Sequence, residues 1–176
     1  TDDSGPIGLA GVMGGASTEV RDTTSTIVIE AASFDAATIS RSMRRHGLPS
    51  EASKRFERRV DPNAAYSAAH LAARLLVELA GGTLSADETV AGAIGEVPTQ
   101  VIDVSLPTRV LGVEVAPERV VEILRASGVA VDQQGETLSL TPPTWRPDLR
   151  DPFDYVEEVG RKVGFDQIPS VVPSAP

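Results

Sequence analysis

One stretch that no packed element can use, Thr83 to Thr99, divides this chain and sets the scale of whatever folds on either side. It is small and polar, is punctuated by Gly92, Gly95 and Pro98, and shows neither helical nor strand periodicity. Reading 83–98 as a linker splits the 176 residues into two small units, 1–82 and 99–169, with 170–176 opening a further linker. Each unit must then close its own core, and at 41% hydrophobic residues the chain has the apolar surface to do so. Helical and strand patterns are mixed within both, so the expected fold class is α+β.

The chain has no cysteine, which excludes a disulfide framework, a thiolate metal site and a cysteine nucleophile. No run approaches the roughly 20 apolar residues that span a bilayer. The opening Thr1-Asp2-Asp3-Ser4-Gly5-Pro6 lacks the regions of a signal peptide and reads as a turn, as an internal piece of a longer protein would. A net charge of -9 argues against the whole chain being a nucleic-acid platform. The charge is uneven, however. Between Arg41 and Arg59 seven basic residues face only Glu51 and Glu57, a local net of +5 that leaves -14 for the remainder. That stretch is either a solvated helix and loop or a patch for RNA or another acidic partner.

Ile7 to Gly15 reads as a buried strand running into a glycine turn, and Thr26-Ile27-Val28-Ile29-Glu30 as a second strand ending in a carboxylate. A helix capped by Ser33 or Asp35 runs through Arg45 and stops at Gly47. Leu48 to Ser53 is expected as a loop. Asp61-Pro62 opens a long helix with a stripe of Ala65, Ala69, Ala72, Leu76 and Leu79, closed by Gly81-Gly82. In the second half a strand is expected over Val101–Leu106, a helix over Pro117–Ser127, and a hairpin over Val129–Leu140 around Gln134-Gly135. Pro142 to Asp148 reads as a stiff extended segment, and Asp151-Pro152 starts a helix that ends at Gly164.

Three constellations could carry chemistry. The turn Ala10-Gly11-Val12-Met13-Gly14-Gly15 would let backbone N–H groups approach a ligand, but it matches no nucleotide-phosphate loop. Glu30, leaving a strand end, could accept a hydrogen bond from a ligand hydroxyl in a partly dry pocket, and Ser50-Glu51-Ala52-Ser53 could form another wall. In the third, Asp154, Glu157 and Glu158 lie at i, i+3 and i+4 on one helical face, with Asp148 just before the helix. Hard oxygen donors of this kind suit Mg²⁺ or Ca²⁺. The alternative is that the macrodipole favours acids there and that Arg146, Arg150 and Arg161 neutralise them. His46 and His70 share no ligand spacing, and His46 reads as a helix C-terminal residue.

In this order the strings Ala10-Gly-Val-Met-Gly-Gly15, Glu30 within Val-Ile-Glu-Ala-Ala-Ser-Phe, Arg45-His-Gly-Leu48, Glu51-Ala-Ser53 and Arg55-Phe-Glu-Arg58 with Val60-Asp-Pro62 form one set. Pro142-Pro-Thr-Trp-Arg-Pro-Asp148 and Asp154-Tyr-Val-Glu-Glu158, with Arg161 and Gly164-Phe165, form a second. Together they resemble the beta subunit of bacterial phenylalanine–tRNA ligase over nearly the whole chain. The resemblance implies a cytoplasmic (αβ)₂ enzyme that attaches phenylalanine to tRNA(Phe) with ATP at a site on the alpha subunit, with no membrane or DNA partner. It implies that residues 1–82 are the C-terminal part of a mixed α/β editing domain that hydrolyses mischarged tyrosyl-tRNA. Residues 99–169 would be a small three-helix, winged-helix-like domain with a β-hairpin.

By the same resemblance Glu30 would accept the tyrosine phenol, Gly11 and Gly14 would line the pocket, and Ser50 and Ala52 would complete its wall. Asp148, Asp154, Glu157 and Glu158 would hold Mg²⁺ shared with the alpha subunit. No residue here would be catalytic for aminoacylation, and the isolated piece would be inactive. Two departures stand out: Ser50 occupies a position where the family usually has threonine, and Arg59 one where it usually has glycine.

Overall fold

A computed structural model describes residues 1–170, so residues 171–176 of the expected trailing linker lie outside the described part. The chain separates into two compact units, Thr1–Ile94 and Gly95 onward. Among the described residues there are six α-helices and two small antiparallel sheets.

The first unit opens with a minimal hairpin. Instead of one buried strand, Ile7–Gly15 holds two two-residue strands, β1 (Gly8–Leu9) and β2 (Met13–Gly14), paired Gly8 to Gly14 and Leu9 to Met13. Glycines leave too few side chains to build a buried face, and of this stretch only Val12 is buried. Gly15 must be glycine for a different reason: a Cβ there would sit 2.6 Å from the Ile7 carbonyl oxygen.

Thr26–Glu30 is extended but is not a strand. Its β-branched residues favour that backbone, yet no neighbour pairs with it among the described residues, and Val28 is 95% exposed.

Helix α1 (Ala36–His46) begins at Asp35, whose carboxylate accepts the Thr38 N–H, and ends at Gly47 in the left-handed region, φ 62°. Helix α2 (Glu51–Phe56) replaces the expected loop. It packs beside α1, with Phe56 edge-to-face on Phe34 at 4.8 Å, and the Ser40 hydroxyl donates to Glu57 at 3.2 Å. Arg59, two residues further on, is the one non-glycine among the described residues in the left-handed region, φ 70°.

Helix α3 (Ala64–Ala80) starts after Asp61-Pro62, with Asn63 at its cap, and ends at Gly81. Its expected stripe does not form a core. Only Ala73 is buried, Ala65, Ala69 and Ala72 are half-buried, and Leu76 and Leu79 are exposed, because alanine offers little area to bury and nothing in this unit covers the leucines.

The second unit holds a three-stranded sheet of order β3-β5-β4: β3 (Gln100–Asp103), β4 (Ala130–Gln134) and β5 (Thr137–Thr141). The central strand pairs Ile102 with Leu138 on one side and Val131 with Leu140 on the other. The expected strand to Leu106 stops at Asp103, whose carboxylate accepts both the N–H and the hydroxyl of Ser105 and turns the chain into α4 (Leu106–Leu111). Helix α5 (Pro117–Ala126) and helix α6 (Pro152–Val163) cover the sheet, and α6 also packs on α4. Val120, Leu124, Leu138, Leu140, Tyr155 and Val159 are fully buried at the centre.

Between β5 and α6 the chain does not run straight. The Arg146 N–H donates to the Pro143 carbonyl and the Leu149 N–H to that of Arg146, so the Pro142–Asp148 segment is folded into turns despite its prolines. Asp151 then caps α6, accepting the Phe153 N–H, while the Asp154 side chain reaches back to the Asp151 N–H.

Candidate functional site

In the first unit the glycine turn and the start of α2 are clipped together. Ser50 stands at the α2 cap, where its oxygen accepts the Ser53 N–H at 3.0 Å and the Ser53 hydroxyl oxygen accepts the Ser50 N–H at 2.9 Å. The Ser50 hydroxyl donates its proton to the Val12 carbonyl at 2.5 Å, across 38 residues of sequence. On the other side of the turn Gly11, at φ 68°, faces Phe34 and Ile39 so closely that a Cβ would lie 2.7 and 2.6 Å from their side chains. Beside it is an open cavity of about 250 Å³ walled by Leu9, Ala10, Phe34, Thr38, Ile39 and Ser42.

Of the five expected residues of this site, Gly11 and Ser50 are brought together around Val12, and Gly14, Ala52 and Glu30 are each exposed. Gly14 looks into open space, with nothing within 4 Å of where its Cβ would be. Ala52 is exposed in the first turn of α2. Glu30 is exposed on the unpaired extended segment and is not a wall of the cavity. The Phe34–Ile39 wall and the Ser53 half of the cap were not read from the sequence. Ser50-x-x-Ser53 was the available signal, a weak one because serine rarely takes the place of glutamate in that motif.

On α1, on α2 and just after it the side chains of Arg41, Arg44, Arg45, Arg55 and Arg58 are exposed and meet no carboxylate among the described residues. Glu51 is engaged by Lys54 at 2.9 Å. His46 closes α1, and His70 pairs with Glu88 at 3.2 Å.

In the second unit Asp148, Asp154, Glu157 and Glu158 line one cavity of about 200 Å³, together with Leu149, Arg146 and Arg161. The Arg146 fork grips Asp148, with Nη2 at 2.7 Å from Oδ2 and Nε at 3.0 Å from Oδ1, and the same Nη2 lies 2.9 Å from Glu158 Oε2. Arg161 also contacts Glu158 Oε2, and the Ser127 hydroxyl donates to Oε1 at 2.9 Å. Glu158 is buried, at 4% exposure. Burial raises its pKa, but the hydrogen bonds from Arg146 and Ser127 and the two guanidinium charges outweigh that and hold it below the ordinary range. Arg146 likewise keeps Asp148 low and is itself held protonated.

Asp154 Oδ2 accepts the Arg150 and Asp151 N–H groups at 2.8 and 2.7 Å. Glu157 is exposed and accepts no such bond among the described residues. The donor chemistry therefore fits a hard divalent ion, but among the described residues no three ligands converge on a common point. Ser127, 31 residues from Glu158, carries no sequence signal for its part in this network.

Residues 1–81 match the B3/4 domain family, and residues 101–165 match the tRNA synthetase B5 domain family. The chain is 56% identical to the phenylalanine–tRNA ligase beta subunit of Cutibacterium acnes over 172 residues, 98% of this chain and 20% of that protein. The chain belongs to the phenylalanine–tRNA ligase beta-subunit family. Beta subunits of Thermobifida fusca and Streptomyces avermitilis match at 49% and 52% identity over 100% of this chain and 21% of their own lengths. The chain thus spans about a fifth of the length of these beta subunits. Among the described residues no helix is long and apolar enough to cross a membrane.

Proposed function

We propose that the chain serves within a cytoplasmic (αβ)₂ phenylalanine–tRNA ligase, where an alpha-subunit site joins phenylalanine to tRNA(Phe) with ATP. Its first unit contributes to a pocket that hydrolyses tyrosine wrongly attached to that tRNA. Support comes chiefly from the bond between the Ser50 hydroxyl and the Val12 carbonyl, which ties the α2 cap to the glycine turn, whose Leu9 and Ala10 line a cavity. An aromatic synthetic site cannot strongly reject a ring that only adds a hydroxyl, whereas a second site that must hydrogen-bond this hydroxyl can select for it. In this reading Gly14 leaves room for the ring, Gly11 lines the pocket with its backbone, Ser50 and Ala52 bound it, and Glu30 is the phenol acceptor. Glu30 requires its extended segment to be held over the turn in the complete subunit, which the unpaired backbone of Thr26–Glu30 leaves free to happen. Water is the nucleophile. The arginines of α1 and α2 that meet no carboxylate among the described residues suit the backbone phosphates of the tRNA.

In the second unit the proposed ligands of a Mg²⁺ ion shared with the alpha subunit are Asp148, Asp154, Glu157 and Glu158. Such an ion would supply a fixed double positive charge at the subunit boundary. The isolated chain is proposed to be inactive in aminoacylation. The editing role is tested in the complete ligase with Glu30→Ala. Loss of one hydrogen bond to a charged acceptor corresponds to about 10- to 100-fold slower tyrosyl-tRNA hydrolysis, with phenylalanine charging retained. Unchanged tyrosyl-tRNA clearance would remove Glu30 from the role.

A further inference from the structure

We propose that Arg146 is a built-in competitor for the divalent ion: its guanidinium holds the carboxylate cluster closed, and metal binding requires it to let go. The inference rests on the reading of these four carboxylates as metal ligands, and it concerns what sets their affinity. Both oxygens of Asp148 are engaged by Arg146, at 3.0 Å from Nε and 2.7 Å from Nη2. Both oxygens of Glu158 are engaged as well, Oε2 by Arg146 and Arg161 and Oε1 by Ser127. A divalent ion needs the same lone pairs that now receive N–H bonds. It would also stand against a fixed guanidinium charge, so the two cations exclude one another from this cavity.

The two arginines are not equivalent. Arg146 has a side chain only 20% exposed, bridges two of the four acids and presents its planar fork to Asp148, whereas Arg161 is 52% exposed and touches Glu158 alone. Glu157, by contrast, is exposed and engaged by neither arginine, so it is placed to make the first contact with an incoming ion. Release of Arg146 would then open Asp148 and Glu158 to complete the set. Until that happens Asp148 and Glu158 are balanced by Arg146 and Arg161, while Asp154 and Glu157 keep the cavity negative.

The chain carries its own reporter. Trp145, the single tryptophan, is 60% exposed and immediately precedes Arg146. The test is a Mg²⁺ titration of the 176-residue chain by calorimetry and by Trp145 fluorescence, for the unaltered protein, Arg146→Gln and Arg161→Gln. Removing the competing ion pair should tighten Mg²⁺ binding about tenfold in Arg146→Gln and by less in Arg161→Gln. Adding Glu157→Gln to Arg146→Gln should cancel the gain. Should Arg146→Gln fail to fold by circular dichroism, Arg146→Lys, a point charge without the fork, takes its place with an expected gain of about threefold. Saturable but unchanged or weaker binding in the folded Arg146 variant overturns the competition while leaving the metal reading in place. No saturable Mg²⁺ uptake by any form, in the chain alone or in its complex with the alpha subunit, overturns both.

Discussion

Gly11 and Gly14 lie three residues apart in one turn, yet the same substitution at the two should have very different consequences. At Gly11→Ala two costs add. The residue sits at φ 68°, where an L side chain costs about 1–2 kcal/mol. Its new methyl would lie 2.6 Å from Ile39 Cδ1 and 2.7 Å from Phe34 Cδ2, well inside contact distance. Neither neighbour can retreat freely, since Ile39 is 3% exposed and Phe34 is stacked edge-on against Phe56. Overpacking of this kind costs about 1–3 kcal/mol. Against it stands about 0.4–1 kcal/mol from stiffening the unfolded chain. The net loss is therefore about 1–4.6 kcal/mol. Gly14→Ala meets nothing within 4 Å and has no positive φ, so it should stay within about 0.5 kcal/mol.

The assay is hydrogen exchange of the α1 amides around Ile39, which reads the first unit alone. Each 1.4 kcal/mol changes the opening equilibrium about tenfold, so Gly11→Ala should lower protection by at least about fivefold, or to the limit of full opening. Equal protection in the two variants would refute the account of the turn. If Gly14 lines the editing pocket, the same pair separates folding from function. Gly14→Ala in the complete ligase should slow tyrosyl-tRNA hydrolysis while leaving α1 protected.

Two further outcomes follow from single residues. Arg59→Gly relieves a left-handed residue and should stabilise the first unit by about 1 kcal/mol, read as increased α2 protection in the same experiment. Asp35 accepts the Thr38 hydroxyl at 2.6 Å and its N–H at 2.8 Å, bonds that hold its carboxyl below the usual 3.8. Because the folded value is the depressed one, the cap contributes fully above pH 3.8 and is lost as pH falls through that lower value. The Thr38 amide resonance should therefore titrate with a midpoint below 3.8, and Asp35→Asn should abolish the transition.

Legibility differed sharply between the two halves of the sequence, for physical reasons. In the second unit α5, the hairpin and α6 are each bounded by their own punctuation, Pro117 and Gly128, Gly135, Pro152 and Gly164, so local chemistry and tertiary structure agree. Helix α4 escaped because Val104-Ser105-Leu106 continues the alternation of β3, and the stop lies in the Asp103 side chain. Helix α2, six residues long, is too short to show a period, and only its serine cap could have announced it. Thr26–Glu30 has strand composition, but a strand is a relation between two segments, and composition carries only one of them. The spacing of the acids in α6 was readable. That Arg146 and Ser127 take up Glu158 was less so, because contacts across 12 and 31 residues are settled by packing.

The order β3-β5-β4 places both leucines of the sheet on the middle strand and makes β3 and β4 its two rims. One rim is only four residues long and ends in Asp103, while the other presents Asp132, Gln133 and Gln134. Short, polar and charged margins are poor templates for a foreign strand. The unit can therefore sit inside a large multi-domain polypeptide, close to many other extended segments during synthesis, without recruiting one of them into its sheet.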